Sequence, residues 1–174
     1  MTDQELLRTY ACSSEEAPLR ALVGRHQQSL VRFMANLLED PVAAQDVVQE
    51  TFVEVAHHPA RYAGGASCRN GLLRTARNLG LRRLRLAHGV AGHRGGAGPE
   101  ERRDSKPGAE GTAGPLCGLS PHSREVLLLK ILEDKSYRDI AEITGLSLTR
   151  VGCLLHRALQ EATQKMRPST ETRS

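Results

Sequence analysis

The sequence predicts an all-α chain: two small helical domains joined by a flexible linker, the C-terminal one a helix-turn-helix. Three observations lead there. Apolar residues recur at helical spacing through residues 1–86 and again through 119–167. Between them, residues 87–118 are mostly Gly, Ala, Pro and charged residues, which cannot bury a core. Within 119–159, two short helical patterns meet at Gly145. Residues 168–174 read as a disordered polar tail.

The elements follow in order. Leu19, Leu22, Val23, His26, Leu30, Phe33, Met34 and Leu37 trace one long stripe, the core face of a helix. Asp40-Pro41 starts the next, because proline at the first helical position loses no needed donor. Ala44, Val48, Phe52 and Val55 share one face of it, and Asp46, Gln49, Glu50 and Glu54 share the other. Residues 62–67 predict a loop, since Gly64 and Gly65 are adjacent. Leu72, Leu73, Ala76, Leu79 and Leu84 line a further helix. In the second domain a helix begins after Leu119. Ser136, with Asp139 three residues on, caps the next one. Gly145 suits a left-handed helix end, and Ser147 caps the last helix, whose core positions are Val151, Leu155 and Ala158. Such a pair lays its second helix in the DNA major groove, and Arg150, His156 and Arg157 supply basic character there.

Composition sets bounds. The chain has 174 residues, 39% hydrophobic and 25% charged, as is ordinary for a soluble protein. No apolar run reaches the roughly 20 residues of a membrane span, and no secretory pattern is legible. A cytoplasmic protein without membrane insertion is expected. Cys12, Cys68, Cys117 and Cys153 are scattered and show no zinc spacing or disulfide framework, so they read as buried or idle thiols. His57-His58 reads as a helix-end feature rather than a metal site. No phosphate loop or nucleophile–base set is visible, so neither an enzyme nor a cofactor or metal is expected.

The net charge of +4 says less than its distribution. Residues 33–60 hold five acids (39, 40, 46, 50, 54) and no Lys or Arg. Residues 61–88 hold seven Arg (61, 69, 74, 77, 82, 83, 85) and no acid. Adjacent acidic and basic surfaces imply two different partners: a basic protein surface for one, nucleic-acid phosphates for the other.

Two stretches carry a family resemblance. The run Leu119, Arg124-Glu125-Val126, Ser136-Tyr137, Ile140-Ala141-Glu142, Gly145 and Leu155-His156-Arg157-Ala158 resembles the C-terminal domain of bacterial RNA polymerase sigma factors of the extracytoplasmic-function (ECF) type. Asp46, Val48, Gln49, Glu50 and Phe52 resemble that family's polymerase-clamp helix. The resemblance implies a protein that binds core RNA polymerase through Asp46, Gln49 and Glu50. It implies that Arg61, Tyr62, Arg69, Arg74, Arg77, Asn78 and Arg82 meet the minus-ten promoter element. It implies that Thr149, Arg150, Gly152 and Cys153 face bases of the minus-thirty-five element, with His156 and Arg157 at phosphates. Family members are often held by an anti-sigma factor, so that partner is implied beside core polymerase and promoter DNA.

The chain departs from the family in places. It has no Trp, and Gly71 and Ala56 stand where Trp is common. Arg82 stands at a site frequently Asp. The frequent pattern V-K-S-R-L-H-R-A is here Val151-Gly152-Cys153-Leu154-Leu155-His156-Arg157-Ala158. Gly71 is expected to shorten its helix. Fewer cations predict weaker DNA binding with flatter salt dependence. The departures motivate a second reading, a sigma-like interaction protein that binds polymerase or a regulator without reading promoters; a third, a free-standing helix-turn-helix regulator, runs against the clamp-like motif.

Overall fold

The computed structural model describes residues 1–13, 15–65, 67–87, 116 and 118–166. Nearly all of the expected linker and the whole of the expected tail lie outside the described residues. Those described form helices and no strand. In order they are α1 (Asp3–Ser13), α2 (Glu16–Leu38), α3 (Pro41–His57), α4 (Pro59–Ala63), α5 (Cys68–Ala87), α6 (Pro121–Ile131), α7 (Tyr137–Thr144) and α8 (Leu148–Met166). The all-α expectation holds.

Helix α2 is the spine of the N-terminal unit. Its expected stripe faces inward: Leu22, Leu30, Phe33 and Met34 are almost fully buried. A Phe33→Ala change would cost about 3–5 kcal/mol by leaving a cavity here. Asp3 on α1 ties that helix to α2, accepting from Arg25 Nη1 at 2.9 Å and lying 2.7 Å from His26 Nε2. The α2–α3 corner turns at Glu39, which adopts the left-handed conformation at φ 56°. Asp40 then caps α3, accepting from the backbone of Val42 at 2.9 Å and Ala43 at 3.1 Å, with Pro41 at the first turn. Ala44, Val47, Val48, Phe52 and Val55 pack inward as the stripe predicts. His57 ends α3 and His58 caps it, which is the helix-end role expected of the pair.

The expected loop at 62–67 is shorter than predicted. Proline at the start of a helical turn restarts the chain as α4, so Tyr62 and Ala63 are helical and buried. Gly71 does not shorten α5, which begins at Cys68. The Tyr62 ring lies where a side chain at 71 would begin, 3.2 Å from an added Cβ. The space beside Gly71 is thus filled from α4.

The C-terminal unit is built by caps. Ser120 accepts from Ser123 N and opens α6 at Pro121. Ser136 and Asp139 form the expected capping box on α7. Gly145 ends α7 at φ 75°, and Ser147 accepts from Arg150 N at 3.2 Å to start α8. Val151, Leu154, Leu155 and Ala158 face inward against α6 and α7. The two units touch, α6 against α2 and α7 against α5.

Candidate functional site

The two charge blocks of the sequence become two neighbouring faces. On α3 the buried stripe turns Asp46 and Gln49 outward, with Glu50 half-exposed beside them. Gln49 borders a shallow hollow shared with Gly24, Gln27, Gln28, Val31 and Gln45. The carboxylates are not bare. Arg82 Nη2 donates to Glu50 Oε1 at 3.2 Å, and Arg83 Nη2 to Glu50 Oε2 at 3.2 Å. Arg83 Nη1 also approaches Asp46 Oδ2 at 3.5 Å. Helix α5 crosses α3 so that its last turns bring these arginines onto the acidic face. Arg82, expected among the nucleic-acid residues, therefore lies with Asp46 and Glu50.

The other basic residues divide into three groups. Arg61 and Arg74 are exposed and reach no polar partner among the described residues. Asn78 is exposed and accepts from Arg77 Nη1 at 3.2 Å. Tyr62 is 5% exposed, and its hydroxyl lies 2.9 Å from Thr75 Oγ1, so the phenol belongs to the core packing of α4 on α5. Arg69 and Arg77 are engaged by the C-terminal unit. Arg69 Nε donates to Glu133 Oε2 at 2.8 Å. Arg77 Nε donates to Glu125 Oε1, and its Nη2 to Oε2 at 3.3 Å. Asn70, between them, donates to Asp139 Oδ1 at 2.7 Å. The Glu125 and Glu133 side chains are essentially buried.

Sequence reasoning did not find these pairings. Glu133 is 64 residues from Arg69 and Glu125 is 48 from Arg77. A basic run looks the same whether it is solvated or paired.

Local electrostatics follows from these contacts. Hydrogen bonds from Ser136 and then Asn70 hold the Asp139 carboxyl below its usual range. Burial pushes Asp3 up, but the bonds and charges of Arg25 and His26 outweigh it and leave it low. Burial, then the charge of Arg69, lowers Lys135. Burial, reinforced by the Asp3 charge, raises the Cys68 thiol to about 11.

On α8, burial of one face leaves Thr149, Arg150, Cys153, His156 and Arg157 exposed together, with Gly152 half-buried beside them. Arg157 Nε donates to Glu161 at 2.9 Å, one turn along. A side chain at 152 would meet only the Tyr137 ring, at 3.9 Å. Leu154 is 9% exposed and faces inward. The outward face thus keeps two arginines and a histidine, a shape and charge suited to a DNA groove. Among the described residues, no cluster of His, Cys, Asp or Glu could hold a metal ion. No described helix is long and apolar enough to cross a membrane.

Comparison with known proteins places the chain in a family. Residues 22–88 match the family "Sigma-70 region 2", and residues 116–161 match "Sigma-70, region 4". The chain is 31% identical over 153 residues to the ECF RNA polymerase sigma factor SigC of Mycobacterium tuberculosis, covering 83% of this chain and 82% of SigC. It is 26% identical over 160 residues to the RNA polymerase sigma factor YlaC of Bacillus subtilis, covering 86% of this chain and 92% of YlaC. Its fold is similar to that of CnrH solved in complex with the cytosolic domain of CnrY, with a TM-score of 0.68 at 23% identity, covering 94% of this chain and 96% of that one. With both regions matched in order and SigC matched over four-fifths of each chain, the protein belongs to the ECF RNA polymerase sigma factors, which direct promoter-specific transcription initiation.

Proposed function

We propose that this sigma factor docks on core RNA polymerase through the α3 face bearing Asp46, Gln49 and Glu50. One observation carries the assignment: burial of the Ala44–Val48–Phe52–Val55 stripe fixes those three side chains outward on a rigid helix. An acidic face of that kind complements a basic protein surface, and complementarity of charge sets register and on-rate. Arg82 and Arg83 border this face and temper its charge. The minus-ten element falls to Arg61, Arg74 and Asn78, exposed on α4 and α5, together with Arg69 and Arg77 of the same basic helix, which pair here with Glu133 and Glu125. Single-stranded DNA held there would track the cations along its backbone. Thr149, Arg150, Gly152 and Cys153 on α8 read the minus-thirty-five element in the major groove, and His156 and Arg157 hold flanking phosphates.

In this reading the chain has no active site of its own. It works in the cytoplasm with core polymerase and promoter DNA, under the control of an anti-sigma partner of the kind the family uses. The test compares wild type with Asp46→Asn/Glu50→Gln for binding to purified core polymerase. Neutralisation is chosen over reversal because arginine at 46 or 50 would repel Arg82 and Arg83. The reading expects a loss of core affinity with the fold intact by circular dichroism. Unchanged affinity sinks the α3 assignment.

A further inference from the structure

Two large apolar side chains stand exposed beside the reading face of α8. Leu148 opens that helix and is 53% exposed, and Tyr137, at the start of α7, is 49% exposed. Single exposed apolar residues are ordinary on protein surfaces. These two, however, border the same residue, Gly152. Leu148 lies one helical turn before it on the same side of α8. The Tyr137 ring stands 3.9 Å from where a Cβ at 152 would be. Thr149, Cys153 and His156 are its neighbours along the helix, and all three are exposed. The missing side chain therefore leaves a notch in the outward surface of α8, walled by a leucine and an aromatic ring.

Folding gives Gly152 no reason to be glycine. It sits inside a regular helix, so no left-handed backbone demands it. Beyond its own helix backbone and chain neighbours, an added Cβ would meet only the Tyr137 ring within 4 Å, at ordinary van der Waals distance. Glycine inside a helix is also less stable than any residue except proline. The chain thus carries a locally unfavourable residue where a side chain would fit. What glycine leaves there is space, one carbon deep. None of the residues lining it is Lys, Arg, Asp or Glu, while Arg150 and Arg157 stand to the side on the same exposed surface. A hollow without fixed charge, flanked by cations, suits the edge of a base rather than a phosphate.

We propose that the Gly152 notch, walled by Leu148 and Tyr137, receives the C5-methyl group of a pyrimidine in the major groove. Recognition of the minus-thirty-five element by this chain then depends on that methyl. The inference rests on the assignment of α8 to promoter DNA above. In the major groove the thymine methyl is the apolar feature that a base pair presents, and apolar side chains read it by contact. The methyl of 5-methylcytosine projects from the same ring carbon. A carbon seated in the notch sheds its water and meets the walls at about 3.5–4.0 Å, where dispersion attraction is strongest. An unmethylated pyrimidine leaves the same space empty and forfeits those contacts.

The test uses the full chain assembled with core polymerase, on a promoter mapped by run-off transcription. The minus-thirty-five segment is synthesised with thymine or with deoxyuridine, which lacks only the methyl. Burying one methyl group is worth about a factor of four in affinity, so wild type should bind the thymine duplex about fourfold more tightly. Gly152→Leu fills the notch, and Leu148→Ser removes a wall at an exposed position. Each should bring the thymine-to-deoxyuridine ratio near one. The ratio is the readout, because overall affinity is free to rise or fall with either change. Duplexes with cytosine or 5-methylcytosine at the same pyrimidine separate the two sources of the methyl. A preference for thymine alone assigns the notch to thymine, and an equal gain from 5-methylcytosine extends it to methylated DNA; both bear the notch out. Equal affinity of wild type for thymine and deoxyuridine overturns it, as does a preference that persists in both folded variants. Either of those results leaves the α8 assignment intact. Binding indifferent to replacement of the whole minus-thirty-five segment overturns both.

Discussion

Replacing Arg82 and Arg83 together by Ala strips the α3 docking face of its internal partners. Three contacts are lost, Arg82–Glu50 at 3.2 Å, Arg83–Glu50 at 3.2 Å and Arg83–Asp46 at 3.5 Å. The side chains are 64% and 39% exposed on the basic side and 38% and 57% on the acidic side, so water and salt screen all three. Pairs of this kind are each worth about 0.2–1 kcal/mol. The three contacts share Glu50 and Arg83, so their contributions overlap and the fold should lose about 1–2 kcal/mol in all. A partner that approaches Asp46 and Glu50 must displace the same contacts. Removing them beforehand should tighten core-polymerase binding by up to about tenfold, since 1.4 kcal/mol is one decade. The gain should shrink as ionic strength rises and screening shortens. Fluorescence anisotropy of labelled protein titrated with core polymerase at several salt concentrations measures it, with a thermal melt as the control for folding. Weaker binding would mean the arginines themselves touch polymerase, and unchanged binding would mean the acids do not. Either result refutes the reasoning that this face docks through its carboxylates.

The remaining predictions are narrower. Gly152→Lys adds a cation to the outward face of α8 at a position with ordinary contacts, so it should strengthen duplex binding and steepen the salt slope by about 0.9. Gly145→Ala forces an alanine into the left-handed region at φ 75° and should cost about 1–2 kcal/mol in thermal or denaturant unfolding. The thiol of Cys68, raised to about 11, should react with a disulfide reagent at neutral pH far more slowly than Cys12 and Cys153, in a timed thiol assay. Asp3 and Asp139 both have folded pKa values below their unfolded ones. Their stabilisation is full above the ordinary carboxylate value of about 3.9 and fades as pH falls through the lower folded values. Asp139→Asn should flatten the acid limb of the stability curve, read by chemical unfolding across pH.

What the sequence revealed was whatever local rules govern. The α2 stripe, the Asp40-Pro41 start, the Ser136–Asp139 box and Gly145 each depend on neighbours within a turn or two, so spacing alone places them. Tyr62 was legible as an aromatic beside arginines, but its burial depends on Gly71 leaving room nine residues away. The fate of the arginines was illegible for a stronger reason. Arg77 finds Glu125 and Arg82 finds Glu50 only after helices have crossed, and side-chain charge carries no record of its eventual partner. The candidate faces could thus be assigned to helices from sequence, while the competition for their charges required the fold.

Run-off transcription tests the central claim most directly. Core polymerase lacking any sigma factor is combined with this chain on fragments of its own genome, and the transcripts are mapped. The account predicts discrete start sites that require the chain and disappear with Asp46→Asn/Glu50→Gln. Tight binding to core with no defined initiation on any fragment would contradict it and leave a sigma-like protein that occupies polymerase without reading promoters.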